Sequence, residues 1–370
     1  TGKTYGEYEF ETQQFAKALM DVWLEGDAQG KVFPFPKFDL HVDQESFDDP
    51  KQLELLKYAC KIASDNGSTY FIFDRDEVNL SMCCRLKTTI KDMYMIEHPE
   101  SMRYCGFQNV SINLPQAAYR AGKGNIKECM EEIKLAMDLA MQAHLEKKEF
   151  VHGLMTQENG TLWQIGKDGE DGRPYVDLEK ATYIIGVIGL NECVQYLIDE
   201  ELHDSEKAYK LGLKLVAAMN LKAKSLEDKH KLRVTLEETP GESAPYKFAR
   251  TDIREYPESL QYIKGDIDTG AIYYTNSAHF AADAPIDIID RITKQGRFNT
   301  LIESGSITHV FIGEQKIPTE SILNIVRKTW EHTQSAQIVF SPEFTVCNDC
   351  GKVSRGYGRA MSSAAHSPTE

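Results

Sequence analysis

The sequence predicts an α/β protein with parallel strand pairing. Short strand-period segments alternate with long helix-period segments along most of the chain, and helices between consecutive strands imply parallel neighbours. The composition fits a globular domain: 370 residues, of which 41% are hydrophobic and 27% charged. No internal repeat at a solenoid period of roughly 20–50 residues interrupts this pattern.

From the N-terminus, residues Glu7 to Leu24 have an amphipathic helical period, with Phe15, Leu19, Val22 and Trp23 on one side. The segment KVFPFPKFDLHV is punctuated by proline and extended. Asp49 to Ser64 predicts a second helix, and GSTYFIF (67–73) a short buried strand entering a loop. FQNVSINL (107–114) is a β-branched strand stopped by Pro115, and Asn125 to Lys147 a long helix. Leu178 to Ile198 and Ser205 to Ser225 predict two more helices, packed as an antiparallel pair.

Further on, LRVTLEE (232–238) and AIYYTNS (271–277) predict strands that end in polar turns. Pro285 to Gln295 and Pro318 to Glu331 predict helices, each followed by a strand, ITHVFIG (307–313) and SAQIVFS (335–341). No low-complexity linker divides residues 1–345. After Gly351 the chain turns small and polar, and 353–370 is expected to be a disordered or truncated tail.

The formal net charge of −15 opposes association with nucleic acid or an anionic membrane, so neither is an expected partner. A small anionic ligand remains compatible, because a helix N-terminus can bind phosphate inside an acidic protein. No apolar run approaches the ~18 residues of a membrane span. The opening TGKTYGEYEFETQQ lacks the regions of a secretion signal, so a cytoplasmic location is expected.

Among the eight cysteines, the vicinal pair Cys83–Cys84 and the Cys347–Cys350 pair stand out, and buried, inert thiols are the default for the rest. SMCCRL (81–86) follows an apolar strand, where loops carry polar chemistry; two packed small hydrophobes is the competing reading. Adjacent cysteines are poorly placed for a disulfide. Asn109 and Asn113, four residues apart, share one face of their strand, and each amide needs a partner or a ligand. TLEETPGESAPYKFA (235–249) places Glu242 and Ser243 after a Pro-Gly turn that can present backbone N–H groups to an anion; a solvated acidic loop is the alternative. Thr275, Asn276 and Ser277 bring hydroxyl and amide groups to a strand end. FTVCNDCG (344–351) is a knuckle-type CxxC: half a zinc site, a redox pair or an accidental spacing. No second CxxC follows it, and His366 in the tail is a poor third ligand.

In order along the chain stand VWLEGDAQGKVFPFPKF, GSTYFIFDRDEVNLSMCCRL, NVSINLP, NGTLWQIG, ATYIIGVIGLNEC, LEETPGESAPYKFA, YYTNSAHF, ITHVFIG and FTVCNDCG. Together they resemble the anaerobic, class III ribonucleotide reductases over residues 5–351. The resemblance implies a ten-stranded α/β barrel of two antiparallel five-stranded halves, here a partial one over residues 1–343, with an inward finger loop. It implies that Cys84, at the loop tip, becomes a thiyl radical that takes hydrogen from the ribose 3′ carbon of a ribonucleoside triphosphate. The 2′ hydroxyl then leaves as water. Asn113 would orient a hydroxyl, and Glu242, with Ser243, would take or give a proton. Cys83, Asn109, Ser243, Thr275, Asn276 and Ser277 would line the substrate. The family further implies zinc at Cys347 and Cys350 (a partial knuckle over 344–352), a glycyl radical installed by a radical-SAM activase, formate or a protein thiol as reductant, and a homodimer.

The departures are specific. The family's ATP-cone, first barrel half and second CxxC have no counterpart here. VSRGYGR offers Gly356 before Tyr357 with the wrong spacing from Arg355 for the family's radical glycine, so the chain is expected to be a fragment without its own radical source. Other glycyl-radical enzymes of the formate-lyase or dehydratase type share the barrel but lack the knuckle. A non-catalytic, zinc-stabilised nucleotide-binding remnant is the reading from a different class.

Overall fold

The computed structural model describes residues 5–28, 33, 35–75, 79–81, 86–90, 93–98, 101, 103–170, 172–313, 316–346 and 353–355. In chain order the strands are β1 (Phe38–Val42), β2 (Thr69–Phe73), β3 (Asn79–Ser81), β4 (Lys87–Thr89), β5 (Gly106–Asn113), β6 (Thr182–Ile188), β7 (Arg233–Glu238), β8 (Lys264–Asp266), β9 (Ala271–Tyr273), β10 (Thr308–Gly313), β11 (Gln337–Pro342), β12 (Phe344–Val346) and β13 (Val353–Arg355). The helices are α1 (Glu9–Glu25), α2 (Glu45–Asp48), α3 (Pro50–Asp65), α4 (Met93–Glu97), α5 (Leu114–Ala121), α6 (Ile126–Thr156), α7 (Trp163–Gly166), α8 (Leu190–Ile198), α9 (Glu206–His230), α10 (Ala244–Glu255), α11 (Ile288–Asn299) and α12 (Thr319–His332). The chain divides into two compact units, Thr1–Asp76 with Ile307–Glu370, and Glu77–Ser306.

The first unit holds a four-stranded sheet in the order β1-β2-β11-β10. β1 and β2 are parallel, as are β10 and β11, whereas β2 and β11 are antiparallel. Phe71 and Phe340 meet edge-to-face at 6.0 Å, both fully buried. α3 starts where the sequence predicts: the Asp49 carboxylate accepts from the N–H groups of Lys51 (2.8 Å) and Gln52 (3.0 Å), with Pro50 at the first helical position. At the end of α12, the Arg75 guanidinium donates to the carbonyls of Ser335 (2.8 Å) and Thr333 (2.9 Å) and, more weakly, of Thr329 and Trp330. A cation there suits the negative end of the helix dipole. β12 and β13 form an antiparallel hairpin, so Val353–Arg355, assigned to the tail by the sequence, is paired.

The second unit is organised by the parallel sheet β5-β6-β7. Ile112, Ile185, Val187, Val234 and Leu236 join Met137, Met141, Leu215 and Met219 of α6 and α9 in its largest hydrophobic cluster. β6 is buried along its whole length, as a central parallel strand must be.

This strand corrects the sequence reading, in which Leu178 to Ile198 is one helix. Thr182–Ile188 is a strand and only Leu190–Ile198 is helical. An unbroken apolar run has no period that separates a buried strand from a buried helix. Gly189 makes the junction with φ of 79°, and a side chain there would press on the ring of Pro115. Two helices were also missed: α5, directly after β5 at Asn113, and α10, which follows the turn after β7. Conversely, β9 ends at Tyr273, short of the predicted 277.

Candidate functional site

Parallel strands deliver their last residues to one end of the sheet, and chemistry in open α/β sheets gathers there. The period of two puts Asn109, Ser111 and Asn113 of β5 on the same face. In register with Ser111 lies Gly186 of β6, and beyond it Glu237 of β7. Over Gly186 of β6 the polar groups of β5, β7 and the turn after β7 converge. Asn109 Nδ2 donates to Glu237 Oε2 (2.5 Å), Ser111 Oγ donates to Asn109 Oδ1 (3.0 Å), and Ser111 and Thr239 hydroxyls are 3.0 Å apart. A Cβ on residue 186 would overlap Asn109, Ser111 and Thr239, so only glycine leaves room for this cluster.

Asn113 caps α5, its Oδ1 accepting from Gln116 N (3.3 Å), while its Nδ2 donates to Asp252 Oδ2 (2.9 Å). Asp252 is fully buried on α10 and also accepts from Gln116 Nε2 (3.0 Å) and Tyr274 OH (2.9 Å). Burial pushes its carboxyl above the usual carboxylate range, and the Asn113, Tyr274 and Gln116 donors partly offset this. Burial likewise raises the Tyr274 hydroxyl, reinforced by Tyr119 and Asp252 beside it, so it stays a neutral donor. Ser111 and Asn113 also border a cleft of about 370 Å³ beside β5, with Gln116, Arg120, Glu132 and Phe248 on its walls.

The segment 275–277 lies against the end of β6, where Ile188 and Asn276 form an antiparallel bridge. Thr275 gives its N–H (3.0 Å) and hydroxyl (2.5 Å) to Glu192, a fully buried carboxylate in the first turn of α8. Burial pushes Glu192 up, against the pull of Thr275 and Asn191. Asn276 Oδ1 accepts from Gly241 N (3.1 Å), and Ser277 Oγ donates to the Thr239 carbonyl (2.9 Å). The turn before α10 is thus tied on both flanks. It presents Glu242 and Ser243 to solvent, with Glu242 in the left-handed region at φ of 36°.

The fold therefore brings Asn109, Asn113, the 239–243 turn and Thr275, Asn276 and Ser277 to one sheet end. Cys83, Cys84, Cys347, Cys350 and Gly356 lie outside the described residues. Of the remaining cysteines, Cys60, Cys129 and Cys193 are buried as expected, whereas Cys105 is only half-buried. Sequence reasoning missed Ser111, Gly186, Glu192, Glu237, Thr239 and Asp252. The alternation of β5 and β7 could have found Ser111 and Glu237. Glu192 was hidden in the misread 178–198 run, and nothing local marks Asp252.

An α/β protein with a polar cluster at the carboxyl end of a parallel sheet is the class that fold and site define. A sequence model of the anaerobic ribonucleoside-triphosphate reductases matches residues 1–362, and the chain belongs to that family. The anaerobic ribonucleoside-triphosphate reductase of Enterobacteria phage T4 is 22% identical over 253 residues, 65% of this chain and 38% of that protein. The Salmonella typhimurium enzyme is 24% identical over 251 residues, 65% of this chain and 34% of its own. Among solved structures, the anaerobic ribonucleotide reductase of Thermotoga maritima with glycerol in the active site superposes with a TM-score of 0.70 at 17% identity, covering 96% of this chain and 55% of that one. The same enzyme in complex with dATP and CTP gives 0.68 at 16%, covering 95% and 54%. The matches thus span about a third of the sequence relatives and about half of the solved chains. The likeness supports the expected α/β fold of the reductase type. Among the described residues the sheets are separate and none closes into a barrel.

Proposed function

We propose that this chain carries the ribonucleotide-reducing site of an anaerobic ribonucleoside-triphosphate reductase. The observation that supports this most is the convergence of Asn113, Asn109, the 239–243 turn and 275–277 at one sheet end in a member of this family. Residues 1–343 are the barrel portion of this reading.

In the proposed reaction the Cys84 sulfur, as a thiyl, takes the hydrogen atom from the ribose 3′ carbon, forming S–H as C–H breaks. Glu242, exposed on its turn, accepts the 3′-hydroxyl proton. The 2′ hydroxyl leaves as water with the proton that Glu242 has taken, which leaves a 3′ ketone and a radical at the 2′ carbon. Formate, oxidised to carbon dioxide, or a protein thiol pair, oxidised to a disulfide, gives a hydrogen atom to the 2′ carbon and an electron, with a proton, to the 3′ ketone, and Cys84 returns its hydrogen atom to the 3′ carbon. Asn113 keeps a second amide N–H and a second Oδ1 lone pair beside Asp252 and Gln116, and these orient a ribose hydroxyl. Asn109, Cys83, Ser243 and Asn276 line the substrate, while Thr275 and Ser277 hold the facing segment through Glu192 and Thr239. A glycyl radical installed by a radical-SAM activase supplies the oxidising equivalent for Cys84. Gly356 is the one glycine in a related sequence context.

Cys347 and Cys350 are proposed zinc ligands. The hairpin pairs Val346 with Val353, so both thiols fall in one connecting segment, which suits a knuckle. Two thiolates make half a tetrahedral set. No group of three or more His, Cys, Asp or Glu among the described residues completes it, and no step is assigned to the metal. No helix of the described residues is long and apolar enough to cross a membrane. Radical thiol chemistry calls for a reducing, oxygen-free cytoplasm, and a homodimer is the proposed assembly.

The test is anaerobic incubation of the chain with activase, formate or a dithiol, and ATP or CTP, with deoxyribonucleotide read by mass spectrometry. Product from the wild type and none from Cys84→Ser supports the proposal. Calorimetric binding of ATP or CTP without any turnover would leave a nucleotide-binding remnant and overturn it.

A further inference from the structure

The Gly186 cluster contains groups that the proposed reaction does not use. Their hydrogen bonds have a direction. Asn109 donates Nδ2–H to Glu237 Oε2, and its Oδ1 accepts from the Ser111 hydroxyl. Ser111 gives its one proton to that Oδ1, so the Thr239 hydroxyl must donate to Ser111 Oγ. The chain of donation runs Thr239 to Ser111 to Asn109 to Glu237, from β7 across the glycine of β6 to β5 and back.

Thr239 opens the turn that ends at Glu242. Its carbonyl is held from the other flank by Ser277 Oγ, and Gly241 N–H by Asn276 Oδ1. Gly241 has no room for a side chain, because a Cβ would overlap Asn276 and press on Pro245. Glu242 then takes a left-handed conformation that a non-glycine residue keeps only when its surroundings impose it. On the sheet side, Ser111 Oγ holds the Thr239 hydroxyl at 3.0 Å.

We propose that Ser111 and Glu237 are positioning residues: through Asn109 and Thr239 they fix the turn that aims Glu242, and Gly186 exists to admit their hydrogen bonds. The functional half of this inference rests on the reductase reading above, whereas its structural half does not. An acceptor is required at 237 rather than a charge, so Glu237→Gln retains the clamp and Glu237→Leu breaks it.

The experiment has two arms. Hydrogen exchange by mass spectrometry on the full chain reads the amides of 241–243, which needs no turnover. Ser111→Ala and Glu237→Leu are expected to speed exchange there at least tenfold, with α6 and α9 unchanged, while Ser111→Thr and Glu237→Gln stay within twofold of wild type. Unchanged exchange in Ser111→Ala and Glu237→Leu overturns the inference whatever the chain catalyses. In the anaerobic assay the two clamp-breaking variants are expected to lose at least tenfold in kcat with KM within twofold, and Ser111→Thr to restore kcat. Faster exchange with wild-type kcat would sever the clamp from Glu242 and overturn the positioning role. Wild-type protein without turnover counts against the reductase reading and leaves the exchange result standing.

Discussion

Removal of the Asn113 side chain separates capping from the buried hydrogen-bond hub. In Asn113→Ala, α5 loses its N-cap acceptor, at about 0.5–2 kcal/mol. Buried Asp252 loses one of three donors, and an under-satisfied buried acceptor costs about 1–3 kcal/mol. The expected total at neutral pH is about 1.5–5 kcal/mol. It depends on pH with a definite sign. Asp252 already has a raised folded-state pKa, and losing a donor raises it further. A raised acid contributes stability that is present below its unfolded value of about 3.9 and lost as pH rises through the folded value, so the variant's deficit is larger at pH 7.5 than at pH 5. Urea unfolding followed by far-ultraviolet circular dichroism at both pH values measures it. In an Asp252→Leu background Asn113→Ala removes only the cap, so the cycle is expected to give a coupling of about 1–3 kcal/mol. A deficit below about 0.5 kcal/mol at pH 7.5, or additivity with Asp252→Leu, would refute the hub.

Arg75→Ala is expected to destabilise the first unit by about 2–4 kcal/mol, because a charged donor to several carbonyls and its packing on Trp330 are lost together; Arg75→Lys recovers less than half by urea midpoint. Buried His144 donates through Nε2–H to the Ile184 carbonyl (2.9 Å), and burial lowers its pKa. The unfolded chain then binds more protons, so stability falls as pH drops below about 6.5, by about 1.4 kcal/mol per unit of depression. His144→Gln should flatten that slope, and an unchanged slope would rule His144 out. The Cys129 and Cys193 sulfurs are 3.9 Å apart in the core, and the contact with Cys129, together with burial, pushes the Cys193 thiol up. Iodoacetamide is expected to leave both unmodified in the native chain and to label both in urea, as read by peptide mass; rapid native labelling would contradict the buried pair.

Much of the fold was legible locally because caps and periods are local. Asp49-Pro50 announces α3, and the alternation FQNVSIN announces β5 and the shared face of Asn109 and Asn113. The central strand was not, because TYIIGVI is apolar on both faces and carries no period. The ends of 271–277 misled for the opposite reason: Thr275 and Ser277 look like strand residues, but their hydrogen bonds go to Glu192 and Thr239 instead of a neighbouring strand.

The sequence by itself determined the α/β class, most of the element order and the family, since each depends on residues read in succession. It also marked Asn113, Glu242 and 275–277 as polar groups at element ends. Only tertiary structure decided what those groups touch. Asp252 reaches Asn113 from 139 positions away, and Glu237 reaches Asn109 from 128. A buried carboxylate keeps its place through partners folded against it from other elements, and nothing in its own neighbourhood along the chain names them.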